Sequence, residues 1–183
     1  MSMKRLLLPA ALLLAAAGPA LAEKADMYKI TDIAFGGLKV DEVKQVTVLT
    51  SGVSVQRGTL AISGARGFMK QMPDGLRQFT LFGEGKNATF RQKRDGAGDQ
   101  WIDGEAERID YDEKTEVVTL VGKAAARRSI GGKPGDEVQG EFIAYDSRRE
   151  SYSVANSTTG ESKVGGGRGH LVLQPIRTEP ENK

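Results

Sequence analysis

The chain has 183 residues, no cysteine, one histidine, and 26 basic against 24 acidic side chains. Without cysteine there is no thiol catalysis, no cysteine-ligated zinc and no iron-sulfur cluster. His170 alone cannot build a histidine metal site, so it reads as an exposed or strand-edge side chain and no metal or other cofactor is expected. A charge balance this close to zero also lacks the basic footprint of a nucleic-acid binder, so no nucleic-acid partner is expected.

Residues 1–22 read as a cleaved secretory signal. Lys4 and Arg5 precede an apolar run from Leu6 to Ala17, Gly18-Pro19 break it, and Ala20-Leu21-Ala22 gives the small-x-small pattern before Glu23. The run is shorter than the roughly 20 residues that span a hydrocarbon core. Its removal takes Lys4 and Arg5 and leaves 24 basic against 24 acidic residues. Residues 23–176 are then expected to form one domain, with a flexible tail over residues 177–183.

From Val46 onward the sequence reads as short alternating strands rather than helices. They are QVTVLTS (45–51), GVSVQ (52–56), GTLAIS (58–63), QFTLFGEG (78–85), NATFRQK (87–93), ERIDYD (107–112), EVVTLVG (116–122), EFIAYD (141–146), ESYSVA (150–155) and HLVLQPI (170–176). Turn residues fall between them at Gly58, Gly64, Pro73-Asp74-Gly75, Asp95-Gly96, Asp112-Glu113-Lys114, Gly131-Gly132 and Ser147-Arg148-Arg149. Regular short strands of this kind predict an all-β sandwich, barrel or jelly roll, and the abundant glycine predicts bulges and bends.

Parity divides each strand into two faces. Leu60 and Ile62 oppose Thr59 and Ala61; Ala88 and Phe90 oppose Thr89 and Arg91; Ile109 and Tyr111 oppose Arg108, Asp110 and Asp112. Strict alternation would carry Glu105 and Glu107 onto the oily side, which predicts a bulge or a late strand start between Ala106 and Ile109. The phrase Gly104 to Ala124 also recurs as Gly140 to Val154, with two positions lost between glycine and tyrosine. Each copy is a strand, a tight turn and a strand, so hairpins stacked as in a β-solenoid or elongated jelly roll are expected, with edges free to pair with another chain.

The strings GEGKNATFRQKRDG, GEAERIDYD, EVVTLVGKA and GEFIAYD, with the upstream VTVLTSGVSVQRGTLAIS, resemble the OstA-like family of periplasmic lipopolysaccharide-transport proteins over about residues 28–175. The chain departs from the family pattern at Gln56-Arg57-Gly58-Thr59 and at Gly64-Ala65. The resemblance implies a single-domain, elongated, twisted antiparallel β-jelly roll open at both ends, located in the periplasm. It also implies a non-catalytic role: binding the lipid A part of lipopolysaccharide and bridging the two membranes by end-to-end strand pairing. The implied partners are an inner-membrane anchored LptC-type subunit, an outer-membrane LptD-type subunit and further copies of the chain itself.

Val53, Val55, Leu60, Ile62, Phe90, Ile109, Tyr111, Val118, Leu120, Ile143 and Tyr145 are the inward candidates by parity. Parity alone has them pack against one another; the resemblance implies that they line a lipid groove, and it adds Tyr28 and Ile30 from the first strand. Three basic clusters, Arg91 with Lys93 and Arg94, Arg127 with Arg128, and Arg148 with Arg149, are candidates for lipid phosphates, guanidinium forks being suited to phosphate oxygens. The alternative for these clusters is solvated turn and edge charge. Two other functions stay open at this point: a structural β-solenoid scaffold without cargo, and a secreted carbohydrate-active enzyme using Asp103, Glu105 or Glu107 as a carboxylate pair.

Overall fold

The structure is a computed structural model that describes residues 26–95 and 98–175. The expected signal segment 1–22 and tail 177–183 lie outside the described residues. After a short 3-10 turn at Asp26–Tyr28 come twelve strands: β1 Thr31–Asp41, β2 Val46–Arg57, β3 Leu60–Gly64, β4 Arg66–Gln71, β5 Arg77–Phe82, β6 Ala88–Lys93, β7 Gln100–Ala106, β8 Arg108–Asp112, β9 Val117–Ile130, β10 Lys133–Asp146, β11 Ser151–Ala155 and β12 His170–Val172.

The strands join into eight long antiparallel segments, each creased near its middle. β2 pairs with β3 through Val53–Arg57 and with β4 through Val46–Leu49, so β3 and β4 are two halves of one segment bent at Ala65. In the same way β9 pairs with β8 through Val117–Val121 and with β7 through Ala125–Ile130, which makes β7 and β8 one segment interrupted at Glu107. β5 with β6, and β11 with β12, are split segments as well. The creases of neighbouring segments are laced together by backbone hydrogen bonds: Gly52 N–H to the Ala65 carbonyl (2.9 Å), Ala65 N–H to Phe82 (2.8 Å), Gly83 N–H to Glu107 (3.0 Å) and Glu107 N–H to Gly122 (2.9 Å).

Creasing every strand along one line folds the sheet over on itself. One layer contains β3, β6, β7, β12 and the adjoining halves of β1, β2, β9 and β10; the other contains β4, β5, β8, β11 and the remaining halves. The strand geometry requires glycine at the crease in two places, because Gly52 has φ +82° and Gly122 φ +80°, values that side chains resist. The layers bury a single apolar cluster between them that runs from Leu49 to Tyr145. Bends form the spine of this folded sheet, and the turns at the opposite strand ends form two facing lips.

Three turns of the second layer share a pattern that fixes them locally. Asp41, Asp112 and Asp146 each accept a hydrogen bond from a backbone N–H two or three residues on (3.0, 2.7 and 3.1 Å), and the fourth residue after each, Gln45, Glu116 and Glu150, has positive φ. The tyrosine-bearing strands of the two copies, β8 and the second half of β10, lie either side of β9, with Tyr111 and Tyr145 both opposite Val118. The glycines are not equivalent, since Gly104 faces Ala126 whereas Gly140 faces Ala124. The repeat therefore marks neighbouring hairpins of one meander and not the coils of a solenoid.

β1 pairs only with β2, and β11 and β12 only with β10, so the folded sheet ends in two lateral edges among the described residues. Between β11 and β12 the chain loops out over residues 156–169. Asn156 holds that loop in place: its Nδ2 donates to the carbonyls of Lys163 and Gly167 (2.9 Å each) and its Oδ1 accepts from Lys163 N–H (2.8 Å).

Candidate functional site

The inner faces of the two layers supply the site. In β6 burial alternates residue by residue, Ala88, Phe90 and Gln92 being inward and Thr89 and Arg91 outward. Val53, Val55, Leu60, Ile62, Phe90, Ile109, Tyr111, Val118, Leu120, Ile143 and Tyr145 are all buried in the common apolar cluster. The expected irregularity lies at Glu107, where one unpaired residue flips the parity, so that Ile102, Gly104 and Ala106 face inward before it and Ile109 and Tyr111 after it. Glu105 and Glu107 are thereby exposed.

Contacts between and within the layers fill the interior. The Phe90 and Tyr145 rings, one from each layer, lie 6.0 Å apart, and within the second layer Phe79 stacks on its cross-strand neighbour Tyr111 at 6.3 Å. Gly104 lies opposite Phe90 in the ladder; a Cβ there would come within 2.9 Å of Leu120 Cδ1 and 3.2 Å of the Phe90 ring, so glycine makes the room that the ring occupies. Burial pushes the Tyr111 phenol up to about 12, against the opposing pull of the neighbouring Arg57 guanidinium.

Tyr28 and Ile30 do not belong to this interior: they are 82% and 88% exposed. They precede β1 and have no strand partner to turn them inward, so the apolar interior begins only with β1. Conversely Leu49, Phe79, Leu81 and Ile102 are inward residues that the alternation in VTVLT, QFTLF and QWIDG carries.

The basic clusters are largely neutralised. Arg91 pairs with Asp103 (3.2 Å) and its guanidinium lies 4.4 Å from the Trp101 ring centroid; Lys93 pairs with Asp99 (3.3 Å); Arg127 pairs with Glu137 (2.6 Å); Arg149 pairs with Asp146 (3.1 Å). Arg128 lies over Tyr152, and Arg148 is exposed. Arg94 alone reaches across to the other layer, to Glu150 at 2.6 Å. The carboxylates Asp103 and Glu107 are likewise paired, with Arg91 and Lys123, on the outer surface.

Sequence reading missed the cluster around Glu113 at the lips. Glu113, whose side chain is 1% exposed, accepts from Arg77 N–H (2.9 Å) and Arg77 Nε (3.0 Å) within its own layer, and meets Arg57 Nη1 (3.3 Å) and Thr31 Oγ1 (3.3 Å) from the opposite one. Arg57 also donates to the Met27 carbonyl. The sequence separation of these groups left no local signal for this cluster.

A family model described as LptA/(LptD N-terminal domain) LPS transport protein matches residues 37–151, from the crease of β1 to the start of β11. The chain belongs to that family. Membership in the LPS transport family points to carriage of lipopolysaccharide rather than to catalysis. Among solved structures, the chain is similar to that of LptH, the LptA homologous periplasmic component of the conserved lipopolysaccharide transport device from Pseudomonas aeruginosa, with a TM-score of 0.69, 22% identity, and coverage of 82% of this chain and 99% of that one. The all-β antiparallel jelly roll is thus the fold of the LptA homologue. No curated protein matches the chain.

Proposed function

We propose that this protein carries lipopolysaccharide across the periplasm without chemistry on the cargo, holding the acyl chains of lipid A between its two layers. Copies join end to end through the β1 edge and the β11/β12 edge, between an inner-membrane anchored LptC-type partner and an outer-membrane LptD-type partner. The observation that carries the reading is the continuous apolar inner face shared by both layers of a sheet whose lateral edges are unpaired among the described residues. A chain of a dozen carbons costs about 10 kcal/mol to hold in water, at about 0.8 kcal/mol per methylene, so such a lipid needs shelter along its whole route. Because Phe90 and Tyr145 already meet, tails enter by parting the layers.

A photo-crosslinker at Phe90 tests this. Capture of lipopolysaccharide in cells from Phe90, and none from the outward-facing Arg91, is the expected result; silence at Phe90 would reject the reading. The filled interior favours one rival, a scaffold with a dry core, and that rival predicts no lipid co-purifying with the protein.

A further inference from the structure

Two ion pairs span the gap between the layers, and among the described residues the other charge pairs join groups within one layer or along the spine. Arg57 of β2 meets Glu113 of the β8–β9 turn at 3.3 Å, and Arg94, just past β6, meets Glu150 of the β10–β11 turn at 2.6 Å. Both lie at the lips, where strands end away from the spine. Their side chains are mostly withdrawn from water, 11% and 1% exposed for the first pair and 14% and 28% for the second.

Neither pair is saturated. The Nε of Arg57, the Nε of Arg94 and one carboxylate oxygen of Glu150 are buried with no hydrogen-bond partner. Arg57, Arg77 and Glu113 together leave two guanidiniums against one carboxylate. Buried, charged and under-satisfied donors of this kind favour a further anion with several acceptor oxygens. A phosphorylated amphiphile with its tails between the layers carries its head at the lips.

We infer that Arg57, Arg77 and Arg94 form a phosphate-binding site for the head group of a phosphorylated lipid, with Glu113 and Glu150 as built-in counter-ions. This rests on the lipid-carrying reading above. Empty, the carboxylates latch the layers shut; loaded, phosphate oxygens replace them on the guanidiniums and the lips stay parted. The assignment moves the phosphate contacts to the buried guanidiniums at the lips, and of those expected from sequence it keeps only Arg94, leaving out Arg148 and Arg149 of the β10–β11 turn, which are exposed.

The test uses the full-length protein and two probes, bisphosphorylated lipid A and the same lipid with its phosphates removed, with binding measured to wild type, Glu150→Gln, Arg94→Gln and Arg57→Gln. Glu150→Gln frees the guanidinium while breaking the latch, so it is expected to bind the phosphorylated probe several-fold more tightly. Arg94→Gln breaks the same latch but removes the phosphate ligand, and it is expected to bind that probe several-fold more weakly, with little change for the dephosphorylated one. Arg57→Gln is expected to behave like Arg94→Gln, and thermal unfolding confirms that each variant is folded. If Arg94→Gln and Glu150→Gln change affinity in the same direction, or if phosphate removal makes no difference to wild type, the inference is overturned while lipid carriage stands. If wild type captures neither probe, the transport reading itself fails and takes this one with it.

Discussion

Tyr111 shows how much a single inward position carries. It stacks on Phe79, neighbours Arg57 at the lips, and is 6% exposed, so its phenol ionises only at about 12. In the unfolded chain the same group ionises near 10, so between those values the unfolded state has released a proton that the folded state still holds. Stability should therefore be at its full value below about pH 10 and fall as the pH rises toward 12, by about 2–3 kcal/mol from this residue alone. Denaturant unfolding of wild type and Tyr111→Phe across that window checks it: the difference between the two should change with pH in that direction. Gly104 makes a second prediction, since Gly104→Val forces atoms into Leu120 and Phe90 and should cost about 1–3 kcal/mol by chemical denaturation. Positions such as Phe90 and Ile109 were legible from alternation because each lies in a strand with one wet and one dry face. Arg57 and Glu113 were not, because their meaning depends on two strand ends that only the folded-over sheet brings together.

The strands were read most reliably where the crease leaves alternation undisturbed. β1 was missed because Gly36-Gly37 shift its register between Phe35 and Leu38, and β7 because its inward positions include the small residues Gly104 and Ala106. β4 was missed as well, and β9 and β10 run further than their apolar cores suggested, to Ile130 and from Lys133. The crease itself was foreseen only at Glu107, where two carboxylates would otherwise have been buried. At Gly122 the left-handed backbone predicts that Gly122→Ala costs about 1–2 kcal/mol, while the same change at exposed, negative-φ Gly167 is nearly neutral; thermal melts of the two variants separate them.

For the whole molecule, the two lateral edges differ from each other, so any association through them is head to tail. Leu38 on β1 and Leu171 on β12 are 49% and 57% exposed. Leu38→Lys and Leu171→Lys should each abolish self-association alone, because a charge guards an edge against pairing. Mixed together they should form a one-to-one dimer and nothing longer, since one sound edge remains on each; analytical ultracentrifugation reads the outcome. The interrupted C-terminal edge also decides how such a joint would be made. A neighbour's β1 turns a corner at Phe35–Gly37, and the matching border consists of β11 and β12 parted by the excursion of residues 156–169. A strand with a corner at one fixed residue fits a border with one fixed gap in a single alignment, as a key fits a ward. Each added copy would then be indexed to the last, and a fatty tail moving along the row would meet no misaligned step between one protein and the next.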